Sequence, residues 1–177
     1  MRSKLIYVIF AIGVLMAGIV LAICLAEPVA NSGGIAHPLI QGMQSGGDGA
    51  ARLAPISSLA FAFQCLLLLL IVCLCSLGVA ERHRSREFIL YMGGTLGLMM
   101  VAWWQMYSGH QEFLETGTTD YFMGFPIATS WQVYGTWLGA IPLIFVYSFG
   151  FRRYIYSVED EEKFEQLLAE SRANTEQ

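Results

Sequence analysis

Three histidines, four cysteines and fourteen acidic side chains are the groups with which this 177-residue chain could do chemistry. His37, His110 and Glu112 are candidates for an outer-face metal site, because two imidazoles and a carboxylate are a donor set for zinc and related divalent ions. Against that, His110 and Glu112 stand at i and i+2, which face apart on a helix, so no metal site is expected. Cys24, Cys65, Cys73 and Cys75 show no C-x-x-C spacing. Cys73 and Cys75 would project roughly 200° apart on a helix, which argues against a disulfide between them. The cysteines read as small, polarizable packing residues. No nucleophile motif, phosphate-cradling loop or carboxylate pair stands out, and "SGGDG" reads as a flexible turn. No catalytic residue and no cofactor is therefore expected, any cofactor-binding residue stays unassigned, and the residues point away from an enzyme without settling it.

The elements that must carry these side chains are apolar. Mean hydropathy is +0.53 and only 14% of residues are charged, outside ordinary soluble composition. The apolar residues also come in blocks: charges are missing from Leu5 to Ala26, Leu53 to Ala80, Phe88 to Gly109 and Tyr121 to Phe151. Each is long enough to cross a hydrocarbon core of about 30 Å as a helix rising roughly 1.5 Å per residue. The expected fold is an all-α integral membrane domain over 1–156, with four transmembrane helices near 5–26, 55–80, 88–108 and 127–151. An acidic amphipathic tail follows over 157–177. The start, Met-Arg-Ser-Lys before an apolar run ending "LAICLAEP", resembles a secretory signal. A signal's apolar region is about 7 to 15 residues; this one is longer and reads as a retained helix.

Orientation follows from the cations, since Lys and Arg near helix ends stay cytoplasmic. Arg2 and Lys4 precede the first block, Arg82, Arg84 and Arg86 fill the link after the second, and Arg152 and Arg153 follow the fourth; Arg52 falls on the other side. Both termini are therefore expected in the cytoplasm, in a multi-pass protein of the plasma (inner) membrane. The stretch "HPLIQGMQSGGDGAARL" then lies outside, as a strap over the outer surface or a partner. In the tail, Phe164, Leu167 and Leu168 share a helical face, while the surrounding carboxylates would be repelled by an anionic bilayer.

Within the blocks the polar candidates are Gln64, Gln105, Gln132, Thr95, Thr129 and Thr136 with some serines, and no ionisable group. Ion-coupled carriers place charged residues at membrane depth, so a self-sufficient pump is not expected. Helix-packing signals are stronger. Gly93, Gly94 and Gly97 clear one face of the third block, Gly135 and Gly139 form a GxxxG in the fourth, and Gly13 with Ala17 gives the first a weaker version. Trp103, Trp104, Tyr107, Tyr121, Phe122, Phe125 and Trp131 gather at the outer end as an aromatic belt. Trp131, Tyr134 and Trp137 are candidates for contact with a partner or a lipid.

The segment "MGFPIATSWQVYGTWLGAIPLIFVYSFGFRRY" resembles the small membrane subunits that accompany sodium:solute symporters. The resemblance rests on Gly124, Phe125 and Pro126 before the last helix, Gln132 within it, Ile144 to Tyr147, and Arg152 and Arg153 beyond. Those subunits usually have two spans, where four are expected here with a long outer loop. The resemblance implies an accessory role beside a larger transporter. The expected function is accordingly a non-catalytic accessory subunit of a larger integral-membrane complex, with that larger subunit and lipids, but no nucleic acid, as partners. The alternative is a subunit of a respiratory or other membrane redox complex with an outer-face metal or substrate contact.

Overall fold

The computed structural model describes residues 2–30, 34–47 and 49–175. Helix α1 (Arg2–Cys24) is followed by a hairpin of β1 (Ile35–Ala36) and β2 (Gln44–Ser45), a short helix α2 (Gly49–Leu53) and helix α3 (Ser57–Gly78). A 3₁₀ turn (Glu81–His83) leads to α4 (Arg86–Thr116). A second hairpin, β3 (Tyr121–Phe122) and β4 (Phe125–Pro126), precedes a last long helical stretch. That stretch runs through α5 (Ile127–Ser130), a π turn (Trp131–Gly135) and α6 (Thr136–Ser148). A further π turn (Phe151–Ile155) joins it to α7 (Val158–Thr175). The chain is mostly helical, and three helices are long and apolar enough to cross a membrane: Lys4–Cys24, Ser57–Gly78 and Arg86–Thr116.

The helix limits have local causes. Ser85 caps α4, its Oγ accepting from the Phe88 amide at 3.2 Å, and Glu87 in the first turn suits the helix dipole. At the far end "HQEFLET" continues the helix, so α4 overruns the expected limit at 108. It stops only at Gly117, whose φ of 69° makes a left-handed cap and whose N–H donates to the Phe113 carbonyl. The fourth block is helical from Ile127 but not uniform. Gly135 and Gly139 let its backbone close on α4, the wide turn Trp131–Gly135 interrupts the α-helical pattern, and Pro142 interrupts it again by lacking an N–H.

The two ends of the molecule are built differently. At the end carrying Arg82, Arg84, Arg86, Arg152 and Arg153, the arginine end, Val72, Val79, Phe88, Met92 and Val146 form a closed cluster from α3, α4 and α6. Phe88 leans on Tyr154 with ring centroids 5.2 Å apart. The Tyr147 hydroxyl donates to the Cys75 carbonyl at 2.7 Å, tying α6 to α3. Helix α1 packs against α3, with Ile12 buried, Leu5, Ile9, Met16, Ile19 and Ile23 half-buried, and its other described side chains exposed.

The opposite, hairpin end is held by polar and aromatic contacts. Phe61 of α3 stacks on Trp103 and meets Tyr107, while the Trp103 indole N–H donates to the Phe61 carbonyl at 3.2 Å. Gln111 donates to the Ser57 hydroxyl, which donates to the Tyr107 hydroxyl. Part of the expected aromatic belt is thus a set of α3–α4 fasteners. The strap is an ordered hairpin, with Ile35 opposite Ser45 and Ala36 opposite Gln44. Gly34 has φ +81° there, and a Cβ on it would lie 2.5 Å from the Ser45 carbonyl oxygen. In "SGGDG", Ser45 ends β2 and Asp48 lies outside the described residues. In the second hairpin, Met123 and Gly124 both take positive φ, 48° and 87°, as the two-residue turn between directly facing strands demands.

Candidate functional site

The fourth helical stretch positions most of the side chains singled out from the sequence. Ser130 is buried, and its hydroxyl lies 2.9 Å from the Phe122 carbonyl and 3.1 Å from that of Phe125, a bifurcated bond that fastens the second hairpin to the helix start. Pro126 ends the hairpin and sets the entry angle of Ile127. Beyond Ser130 comes the π turn Trp131–Gly135. Such turns are rare and add a residue to one turn of helix, changing which side chains share a face.

On one side of this turn lies a groove of about 460 Å³, lined by Gln64 and Leu68 of α3, Met99, Ala102, Trp103 and Met106 of α4, and Gln132 and Thr136. Gln64 is half-buried, whereas Gln132 and Thr136 are exposed at the mouth. No hydrogen bond links either carboxamide or the Thr136 hydroxyl to another described residue. The indole N–H of Trp103, in contrast, is spent on Phe61, so that ring is a fixed wall. No ionisable side chain lines the groove. What it offers is hydrogen-bond donors and acceptors without charge, beside two thioethers and an indole face.

On the other side of the fourth stretch, Phe122, Ile127, Ser130, Trp131, Tyr134, Gly135 and Leu138 line an apolar hollow of about 290 Å³. Tyr134 meets Phe122 and Phe125 edge-on, both at 6.2 Å between centroids. Trp137 lines neither space and is 71% exposed. Of the three contact candidates, Trp131 and Tyr134 thus face this hollow and Trp137 projects separately.

The glycines divide as well. A Cβ on Gly139 would lie 3.2 Å from Met99 Cγ, and one on Gly135 would lie 2.6 Å from Trp131 Cε3 and 3.4 Å from Ala102 Cβ. Those two are consumed by packing against α4. Gly93, Gly94 and Gly97, and also Gly13 and Gly18 of α1, meet nothing within 4 Å.

The metal candidates do not converge. His37 Nδ1 accepts from the amides of Leu39 and Ile40, at 3.2 and 3.1 Å, which makes it a turn-forming residue of the first hairpin. His110 borders Ser57 and Tyr107 on one side and Thr119 and Pro126 on the other, while Glu112 faces Thr118 and Asp120. Among the described residues no group of three or more His, Cys, Asp or Glu side chains is placed to hold a metal ion.

Sequence reasoning missed a clasp at the arginine end. Arg82 pairs with Asp160, Arg152 with Glu161 at 2.6 Å, and Arg153 with Glu87. His83 lies 3.9 Å from Asp160, and its Nδ1 is 3.3 Å from the Tyr154 carbonyl. Arg84 reaches back to the carbonyls of Val79 and Leu77. The hydrogen bond and charge of Lys163 hold the Glu159 carboxyl below its usual range, and Glu161 raises the Arg152 guanidinium further above its own. The acidic start of α7 is therefore docked on basic turns, while Phe164, Leu167 and Leu168 are exposed. The signal was in the sequence, as five arginines in two links and four carboxylates from Glu159 to Glu162.

No family model, no curated protein and no solved structure matches the chain. Fold and site define a class, an all-α chain with three membrane-length helices, an uncharged polar groove and an open glycine face.

Proposed function

We propose that the chain is a non-catalytic accessory subunit of a larger integral-membrane complex, associated with a transporter. The observation that carries this reading is the face of α4 formed by Gly93, Gly94 and Gly97, where an added Cβ would meet nothing within 4 Å among the described residues. Beside it Leu90, Leu98 and Val101 are exposed. In a bilayer, where lipid tails are as apolar as leucine, small residues earn their place by letting another helix backbone approach. The absence of Asp, Glu, Lys, Arg and His from the apolar blocks supports a role that leaves ion movement to the partner. The resemblance of Met123 to Tyr154 to symporter-associated subunits supports the transporter version.

In this reading the protein sits in the plasma (inner) membrane with four spans. The fourth is Ile127–Ser148, about 33 Å long at roughly 1.5 Å per residue. The arginine end faces the cytoplasm, and both termini lie there with it. The test is extraction in a mild detergent followed by native mass spectrometry. A stoichiometric complex with a larger membrane protein is expected; a monodisperse lone monomer from its native membrane would overturn the proposal.

A further inference from the structure

The groove at the π turn has no part in partner docking as proposed above, and it calls for an occupant. In hydrocarbon, carboxamides without hydrogen-bond partners are strongly disfavoured. Gln64 and Gln132 nevertheless line one groove, with the Thr136 hydroxyl beside them and no hydrogen-bond partner among the described residues for any of the three. Its volume, about 460 Å³, falls in the range of small-molecule sites. A ligand with a charged head would be taken from water without a counter-charge, since no ionisable group lines the groove. Phosphate and ammonium heads are thereby excluded. Met99, Met106, Leu68 and the fixed Trp103 ring supply an apolar, polarizable wall suited to a flat or methyl-bearing head.

We propose that this groove binds an uncharged amphiphile whose head carries carbonyl or hydroxyl oxygens, held by the carboxamides of Gln64 and Gln132 and the hydroxyl of Thr136. Carboxamide N–H groups donate to its carbonyls, and the carboxamide oxygens accept from its hydroxyls. Two membrane-soluble sources carry that chemistry: a quinone with an apolar tail, and a neutral glyceride. The binding needs this chain alone and does not rest on the accessory reading.

The test uses the full chain purified in mild detergent. A short-chain benzoquinone is titrated while tryptophan fluorescence is read, since Trp103 forms one wall. Dioctanoylglycerol and a short-chain anionic phospholipid then serve as competitors. Saturable quenching is expected, with displacement by the neutral glyceride if that is the better ligand and none by the anionic lipid. Solvent extraction and mass spectrometry of the purified protein distinguish which source it carries. The pair Gln64→Leu and Gln132→Leu, near-isosteric and more apolar, should weaken binding about tenfold or more. Thr136→Val should weaken it by a few-fold and guards against a double variant that fails to fold. Unchanged affinity in Thr136→Val and in the folded double variant, absence of saturable binding by either neutral probe, or equal competition by the anionic lipid would each overturn the proposal. A null result here with an intact partner complex leaves the accessory reading standing, and a lone monomer that binds the quinone leaves this one standing.

Discussion

Gly135 and Gly139 sit against Ala102 and Met99 of α4, whereas Gly93, Gly94 and Gly97 of that same α4 face open space. The two stripes are equivalent as sequence, small residues three or four apart on an apolar helix. Their difference comes from neighbours. The fourth stretch follows α4 through a fastened hairpin and has to pack back on it, and that return uses only one side of α4. Small-residue spacing therefore announces that a backbone will approach closely, but not whose.

The comparison can be broken most directly by filling both stripes. Gly139→Leu puts a branched side chain where a Cβ would already lie 3.2 Å from Met99 Cγ. Overpacking of this kind typically costs about 1–3 kcal/mol or more, so a clear fall in melting temperature in detergent is expected. Gly97→Leu has room and should leave that melting temperature unchanged while the larger partner is lost from the extracted complex. Equal destabilisation by the two would remove the distinction between a closed and an open stripe.

A smaller effect is expected where the return of the fourth stretch is tied by single hydrogen bonds. Ser130→Ala unties both hairpin carbonyls, and Tyr147→Phe frees the Cys75 carbonyl. Each should cost about 1 kcal/mol or less, given the modest net worth of such bonds in membranes. Hydrogen exchange should rise at the second hairpin in the first variant and at the arginine end in the second.

The smallest effects belong to the clasp. Arg82→Gln removes a pair that is half-exposed on the arginine side, worth at most about 1 kcal/mol. Faster amide exchange at the start of α7, and little else, is expected. Acid should do the same. The Glu159 carboxyl is held below its ordinary value of 4.5 by Lys163. Its contribution is thus present above that value and disappears as pH falls through the lowered one. Exchange at the start of α7 should accordingly rise as the pH is taken below 4.5, and high salt should mimic part of the rise.

The apolar blocks were legible because hydrophobic length is a direct physical requirement, and helices do form over 5–24, 57–78 and 88–109. What composition did not reveal was where a helix stops. "HQEFLET" is polar enough to end a membrane block, yet its residues form good helix, and only the left-handed Gly117 ends α4. The π turn was illegible for a different cause. It is a local widening of one helical turn, beside the close approach of Gly135 to Ala102, and has no period of its own.

The groove was half legible. Gln64, Gln132 and Thr136 stood out as polar residues in apolar blocks, but their convergence depends on how α3, α4 and the fourth stretch cross. Met99 and Met106, which line the same groove, carry no signal that separates them from ordinary packing. His37, a candidate that the sequence did not favour as a metal ligand, accepts two backbone amides in a turn, a role that residue type alone does not tell from ligation. The clasp was overlooked since the arginines read only as markers of orientation and the tail's carboxylates only as charges that an anionic bilayer would repel.

The one-sided packing of α1 bears on the order of events during synthesis. It is made before the α3 on which it leans, but none of its residues belongs to the closed cluster of Val72, Val79, Phe88, Met92 and Val146. Val146 comes from the fourth apolar block, so that cluster is completed only after α1, α3 and α4 have been made. Until that block emerges the growing chain is a helix waiting for a neighbour and a hairpin waiting for its lid, and it depends on its surroundings in the meantime.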